Sequence, residues 1–360
     1  MVWARDDDPR QLVPAAGLAR APPTIRAMAR TTDSIPEAVA EAARRRSDAR
    51  AARDWPAADA LRAEIEAAGW RVVDSGTEYR LEPASPPDVE VGGEIRYGRS
   101  DAVPSRLDEP ASGVAAIVIV ASSDLAETRS VLDAVGAMPV AGIGVVLVAD
   151  GLPDRALEGV RAADLASRPG PTTFELVRTS AVLGHATALN AGVRRARAET
   201  VIVLDPSVTP TGDIVSPLVA ALTDPGAAIA GPFGLVSGDL RRFDEVMPAA
   251  GPRLGVAAIQ GYCMAFRRSD FVARGPFDEG FRFYRNLDIW WSLVLRNQGE
   301  GASPRAALAI PALPLERDEP RAWVTTPAAD RDRLSKRNFY RVLDRFRTRM
   351  DLAVPEPMPH

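Results

Sequence analysis

Residues 113–151 read GVAAIVIVASSDLAETRSVLDAVGAMPVAGIGVVLVADG, and the fold is decided by this stretch. Residues 114–121 are an unbroken apolar run rich in Val and Ile, the pattern of a parallel strand covered on both faces. Residues 124–135 read as a helix and 143–149 as a second buried strand. Downstream, 173–177 reads as a strand, 186–196 as a helix and 201–204 as a fourth strand. Strands alternating with helices imply right-handed βαβ units in a doubly wound, mostly parallel sheet, an α/β fold.

The loops after these strands narrow the ligand class. The loop ASSDLAET after the first strand has no glycine for a tight pyrophosphate turn, so the dinucleotide fingerprint is absent. No GxxxxGK[ST] loop occurs, and Lys336 is the one lysine, which excludes a P-loop. Polar residues stand instead at the C-terminal ends of the strands, where open α/β sheets bind ligands. Ser122, Ser123 and Asp124 follow the first strand, Asp150 and Gly151 the second, and Asp205, Pro206 and Ser207 the fourth. All three ends are expected to converge on one crevice.

Around this core the chain has further parts. Of its 360 residues, 46% are hydrophobic and 26% charged, as in an ordinary folded protein, and the net charge of -4 gives no general attraction to nucleic acid or anionic membrane. The single cysteine, Cys263, excludes an intrachain disulfide and a cysteine-rich zinc site. Residues 1–33 lack periodicity and read as a poorly ordered tail. They hold no signal-peptide core, so a cytoplasmic location is expected. Residues 37–53 and 56–68 read as two helices, followed by short strands at 70–74 and 77–81 around a Ser75-Gly76 turn. Residues 84–112, rich in proline, read as a linker. Within 301–360, a basic amphipathic helix carries Leu334, Phe339, Val342, Leu343 and Phe346 as its apolar set. It is expected to dock on the large domain, with peripheral attachment at the inner face of a membrane as the alternative.

Two resemblances extend the reading. DWPAADALRAEIEAAGWRVVDSGTEYRLEP, 54–83, resembles the C-terminal segment of cysteinyl-tRNA synthetases, and the likeness spans 34–83. It implies a borrowed module with tRNA as a candidate partner through Arg44, Arg45, Arg46, Arg50 and Arg53, whereas a solvated helix face is the plainer reading. The 113–300 region resembles the family-2 glycosyltransferases, carried by AIVIVASSDLAETRSVLDAV, VVLVADGLPD, LGHATALNAGVRRARAETVIVLDPS and GYCMAFRRSDFVARGPFDEGFRFYRNLDIWWSLVLRNQG. This second likeness implies a GT-A-type fold and inverting transfer from a nucleoside-diphosphate sugar to a glycan or lipid-linked acceptor.

By that resemblance Asp288 is the catalytic base, with N-capping of a helix at 289–296 as its plainer role. Ser122, Asp124, Asp150, Gly184, Asn190 and Asp205 are the nucleotide-sugar-binding positions, Asn190 and Gly192 serving helix packing in the alternative reading. A divalent cation, Mg2+ or Mn2+, is implied on Asp205, although the family's Asp-x-Asp is Asp205-Pro206-Ser207 here and no histidine stands near 315–323. His185, beside Gly184 in the expected crevice, is expected to be solvated, with diphosphate contact as the alternative, Trp290 and Trp291 to divide between core and surface, and Arg267 and Arg268 to lie on the surface. Beside the transferase stand two other readings: a nucleotide-sugar-binding protein with an eroded metal site, and a tRNA-associated protein.

Overall fold

The computed structural model describes residues 35–75, 78–157, 160, 171–246 and 251–360. The tail expected at 1–33 and Gly76 of the expected turn lie outside the described residues.

Helices α1 (Glu37–Ala51) and α2 (Trp55–Ala67) pack as a hairpin, followed by the antiparallel pair β1 (Trp70–Ser75) and β2 (Glu78–Pro83). Asp54 caps α2, its carboxylate accepting from Ala57 N at 3.1 Å. This unit has its own small core: Val39, Ala42, Ala43, Leu61 and Ile65, backed by Trp70, Val72, Tyr79 and Leu81. Arg46, almost fully buried, makes a two-pronged contact with Asp74 at 2.9 Å on each side, which holds that carboxyl below its usual range. Of the five arginines singled out in α1 and just after it, Arg44 pairs with Glu41, and Arg46 and Arg50 with Asp74.

The stretch expected as a linker is structured in part. Residues Val89–Val91 pair with Glu94–Arg96 in a small hairpin, and the chain then binds the large domain, Tyr97 N donating to Arg178 O at 2.9 Å. Proline density had suggested an unattached segment, but the backbone groups between the prolines find partners on the neighbouring domain.

The large domain is built on a nine-stranded sheet. Its strands are β3 (Ala115–Val120), β4 (Ile143–Ala149), β5 (Pro171–Arg178), β6 (Thr200–Leu204), β7 (Ala227–Gly231), β8 (Leu254–Val256), β9 (Cys263–Arg267), β10 (Ala306–Ala309) and β11 (Met358–Pro359). Their order across the sheet is β11-β8-β10-β7-β9-β6-β3-β4-β5. Only β8 and β9 run against the others, so the sheet is mixed but mostly parallel. Alternate residues of β3 explain its unbroken apolar run. Ala116 and Val118 face one core with α4 (His185–Val193), whereas Ala115, Ile117 and Ile119 face another with α3 (Leu125–Ala137) and α5 (Val215–Leu222).

The last part of the chain closes the first of these cores. After α6 (Arg268–Arg274) come α7 (Leu287–Arg296), the short α8 (Arg321–Thr325) and α9 (Ala328–Phe346). Val342 and Phe346 of α9 are buried with α7, and Leu334, Phe339 and Leu343 of the same apolar set are half-buried. Trp290 and Trp291 are both buried, Trp291 in a cluster with Phe266, Phe271 and Phe277, which corrects the expected division between core and surface. Arg267 and Arg268 are not surface groups either. Arg267 donates to the carbonyls of Leu222, Asp224 and Ala227, and Arg268 to that of Glu109 at 3.0 Å. Arg296 lies inside the core and donates to Ala257 O at 2.8 Å and Leu352 O at 2.7 Å, while burial lowers its pKa to about 10. No helix among the described residues is long and apolar enough to cross a membrane.

Candidate active site

The C-terminal ends of β3 and β6 open into one crevice with two lobes. The larger, about 290 Å³, is walled by Ser122, Ser123, Glu127, Leu204, Pro206 and Arg321, among others. The smaller, about 190 Å³, is walled by Gln260, Tyr262, Arg285, Asn286, Asp288 and Phe339, among others. His185, Asp205, Gly261, Tyr284 and Pro320 border both, which makes them one continuous site.

Local sequence explains how each acid is placed. Asp205 ends β6, and its Oδ1 accepts from Ser207 N at 2.9 Å and Ser207 Oγ at 2.5 Å, the self-closed turn that Asp-Pro-Ser favours. Burial raises its pKa, and the two Ser207 bonds work against that rise. Asp288 sits in the first turn of α7. The helix is N-capped by Asn286, which adopts a left-handed φ of 68°, so Asp288 is not the cap residue. Its carboxylate accepts from Gly261 N at 2.9 Å and from Ile289 N at 2.9 Å. Burial pushes its pKa up, with those two backbone bonds and the Arg285 charge opposing.

Ser122 and Asp124 meet the crevice differently. Ser122 lines the larger lobe, its hydroxyl donating to Glu127 at 2.5 Å, whereas Asp124 caps α3 through Ala126 N and pairs with Arg321 at 2.9 Å. Asp150 borders neither lobe. It accepts from Leu183 N at 2.8 Å, Gly184 N at 3.0 Å and Thr179 Oγ1 at 2.9 Å, which fixes the loop leading into α4. Burial raises its pKa against those three hydrogen bonds. The structure therefore brings Ser122, Asp205 and Asp288 together at the crevice, whereas Asp150 holds the Leu183–Gly184 backbone.

Gly184 and Asn190 are bracing positions. Gly184 has φ 106°, and a Cβ there would stand 2.9 Å from Arg282 Cα, so glycine alone permits the approach of the 282 segment. Asn190 is 2% exposed and clasps Phe277: its Nδ2 donates to Phe277 O at 2.9 Å and its Oδ1 accepts from Phe277 N at 2.9 Å. A third bond runs from Nδ2 to Glu279 Oε1 at 3.0 Å. Gly192 lets α4 lie on the sheet, since a Cβ would come within 2.4 Å of Val118 Cγ1.

Tyr284, Arg285 and Arg321 join the crevice without a signal in the sequence, whereas His185 is expected there beside Gly184. His185 is half-buried and lies between the lobes, edge-on to Tyr284 with 6.2 Å between ring centres. Burial lowers its pKa to about 4, so it is neutral at physiological pH. Tyr284 is raised by burial, and Arg285 lies with its guanidinium 5.1 Å from the centre of the Trp323 ring. Pro320 and α8 border the larger lobe, and Pro320 and residues 321–323 lie within 315–323, the place of the family's histidine.

The residues present give a hard divalent cation few protein ligands. Such an ion takes about six or more oxygen ligands, and magnesium fills them with one or two carboxylates, waters and substrate phosphates. Asp205 offers one carboxylate, with Oδ1 engaged by Ser207, and among the described residues no group of three or more His, Cys, Asp or Glu side chains stands together as a metal site.

No curated protein matches the chain. Among solved structures, GalNAc-T7 with UDP, GalNAc and Mn2+ is similar at 15% identity and a TM-score of 0.48, over 66% of this chain and 48% of that one, so the chain spans about half its length. The mannosyltransferase PcManGT from Pyrobaculum calidifontis, with GDP-Man and Mn2+, is similar at 17% identity and a TM-score of 0.47, over 70% of this chain and 71% of that one. S. aureus TarS 1–349 is similar at 11% identity and a TM-score of 0.45, over 65% and 73%. The family model described as Glycosyl transferase family 2 matches residues 117–272, the span from β3 into α6 that supplies Ser122, His185, Asp205, Gly261 and Tyr262 to the crevice and ends before Asp288.

Proposed function

We propose that the chain transfers a sugar from a nucleoside-diphosphate sugar to an acceptor hydroxyl by a single displacement with inversion. The observation that carries this reading is the arrangement of the two lobes. Ser122 and Ser123 border only the larger lobe and Asp288 only the smaller, with Asp205 and His185 between them. A single displacement needs a base on one side of the anomeric carbon and the leaving group on the other, and the two ends of this crevice offer that separation.

In this reading the donor lies in the larger lobe against Ser122, Ser123 and Asp205, and the acceptor enters the smaller lobe beside Tyr262 and Arg285. Asp288 takes the hydroxyl proton while the acceptor oxygen bonds to the anomeric carbon. The bond to the diphosphate breaks, and its electron pair leaves with the diphosphate. The raised pKa of Asp288 suits a base, because a more basic carboxylate shares the proton better in the transition state.

Asp288→Asn tests the assignment directly. A panel of nucleoside-diphosphate sugars is screened for hydrolysis and transfer, with circular dichroism and thermal unfolding to show that the fold is kept. A loss of about 100-fold or more is expected for removal of a general base. Unaltered turnover in the folded variant removes Asp288 from the reaction.

A second reading, a nucleotide-sugar-binding protein without turnover, is favoured by the self-closed Asp205–Ser207 turn and by Asp150 facing the Gly184 loop. Calorimetric binding of a donor across the same panel without any turnover decides for it. The tRNA reading finds less support, because Arg44, Arg46 and Arg50 are already paired with carboxylates.

A further inference from the structure

The chain enters α7 through residues 284–288, Tyr-Arg-Asn-Leu-Asp. Asn286 turns left-handed as the cap, so Arg285 stands just outside the helix and Asp288 in its first turn, both on the smaller lobe. That lobe has an uneven chemistry. Arg285 is the only Arg or Lys among the described residues that border it, and His185 is neutral. Of its two side-chain amides, Gln260 has Oε1 taken by Arg317 at 3.3 Å and Nε2 closed to solvent, and Asn286 Nδ2 donates to Ser335 O at 3.0 Å. Leu235, Phe243 and Phe339 border it as well, each half-buried, with the two rings edge-on and 6.4 Å between their centres.

Arg285 is exposed, and its guanidinium lies 5.1 Å from the centre of the Trp323 ring, with that of Arg331 4.5 Å from the same centre. Neither forms an ion pair among the described residues. Stacking on a ring uses the face of a guanidinium and leaves its N–H donors, which lie in the plane, for an acceptor. The plainer role for Arg285, counter-ion to Asp288, is weakened by the partners that carboxylate already has. Gly261 N and Ile289 N hold it, and no hydrogen bond or ion pair joins it to Arg285. Two cations on one ring with no acid paired to either concentrate positive charge at this rim, which draws an anion. A neutral sugar instead needs several donors and acceptors side by side, and the two amides of the lobe are engaged.

We propose that the acceptor is an anion: a hydroxyl compound whose carboxylate or phosphate is held by Arg285 and whose apolar part lies against Phe243 and Phe339. This rests on the transfer reading above and deepens it by naming the acceptor's chemical class. A guanidinium fork matches the oxygens of either acid. Because Arg285 and Asp288 flank one left-handed turn, an acid held by the first brings a neighbouring hydroxyl toward the second.

The test is titration calorimetry on the full chain with matched hydroxyl compounds. The pairs are para-hydroxymethylbenzoate against its amide, para-hydroxymethylphenyl phosphate against para-hydroxymethylphenol, and vesicles of phosphatidylglycerol against vesicles of phosphatidylcholine holding diacylglycerol. The first two carry the acid in solution and the third on a lipid surface, so the pair that responds names the source. Each is run with the wild type, Arg285→Gln and Arg285→Lys, and UDP, GDP, ADP and dTDP are titrated alongside. At least one anionic member is expected to bind about tenfold or more tighter than its neutral match, the scale of a charge-assisted hydrogen bond. Arg285→Gln brings that pair within about twofold, Arg285→Lys keeps part of the preference, and the affinity for a nucleoside diphosphate stays within about twofold in both. Thermal unfolding shows that the fold is kept. Equal affinity within every pair, no binding by any anionic member, or a preference that survives in Arg285→Gln overturns the inference and, where a diphosphate binds, leaves the nucleotide-sugar reading standing. Absence of binding by every diphosphate overturns that reading, and the inference with it.

Discussion

Asn190 is where a ligand role and a bracing role forecast opposite results. Asn190→Ala leaves the N–H and the C=O of Phe277 without their partner and removes one of the donors on Glu279, which keeps Ser100 Oγ at 2.5 Å. Each buried polar group left unsatisfied costs about 1–3 kcal/mol. With two backbone groups exposed to that penalty and partial relaxation of the surrounding loop, a loss of about 3–5 kcal/mol is expected. For a folding unit of this size that is a fall in Tm of about 6–15 °C. Urea unfolding followed by tryptophan fluorescence measures it, because Trp291 packs against Phe277 with 4.5 Å between ring centres. Nucleotide affinity, measured where the variant is fully folded, is expected to stay within about twofold, since Asn190 borders neither lobe. A stability loss under about 1 kcal/mol, or a tenfold loss of affinity with stability kept, refutes the bracing role.

Two more tests address the same helix. His185, lowered to about 4 by burial, binds a proton in the unfolded chain from about 6.5 downward but not in the folded one until about 4. Its contribution to stability is therefore complete above about 6.5 and is lost as pH falls toward 4, by at most about 3 kcal/mol. The difference in unfolding free energy between wild type and His185→Gln should shrink or reverse across that window, and a difference that does not vary with pH contradicts it. Gly192→Ala should gain about 1 kcal/mol from helix propensity but lose about 1–3 kcal/mol to overpacking, because its Cβ would meet Val118 and Val148 side chains at 2.4 and 2.9 Å. Net destabilisation is expected in thermal unfolding, and a rise in Tm would show slack between α4 and the sheet.

The parts of the fold legible in the sequence are those set by periodicity and by both-face burial. Residues 143–149 are the observed β4, and β3, β6 and α3 fall within a few residues of their expected ends. The crevice was legible where a strand end carries a polar residue, as at Ser122 and Asp205. Its direction was not legible for Asp150, because a carboxylate at a strand end serves equally to hold a ligand or to accept from the amides of the next loop. Which of these wins depends on whether Leu183 and Gly184 come within reach, a tertiary fact. Tyr284 and Arg321 come to one crevice from distant stretches of sequence, and no local pattern announces that meeting. The same holds for Arg267 and Arg268, whose acceptors are carbonyls of segments far away along the chain.

The buried guanidinium of Arg296 changes where the edge of the foldable unit must be drawn. One of its acceptors, Leu352 O, comes after α9, and Phe346 and Leu352 belong to the same core as α7. A fragment trimmed to the family match would discard β10 and β11, the apolar side of α9 and Arg296 itself. A longer fragment ending before Leu352 would keep the cation but strand it among apolar side chains with a missing partner. The matched segment and the cooperative folding unit thus have different borders in this chain, and the first is the smaller.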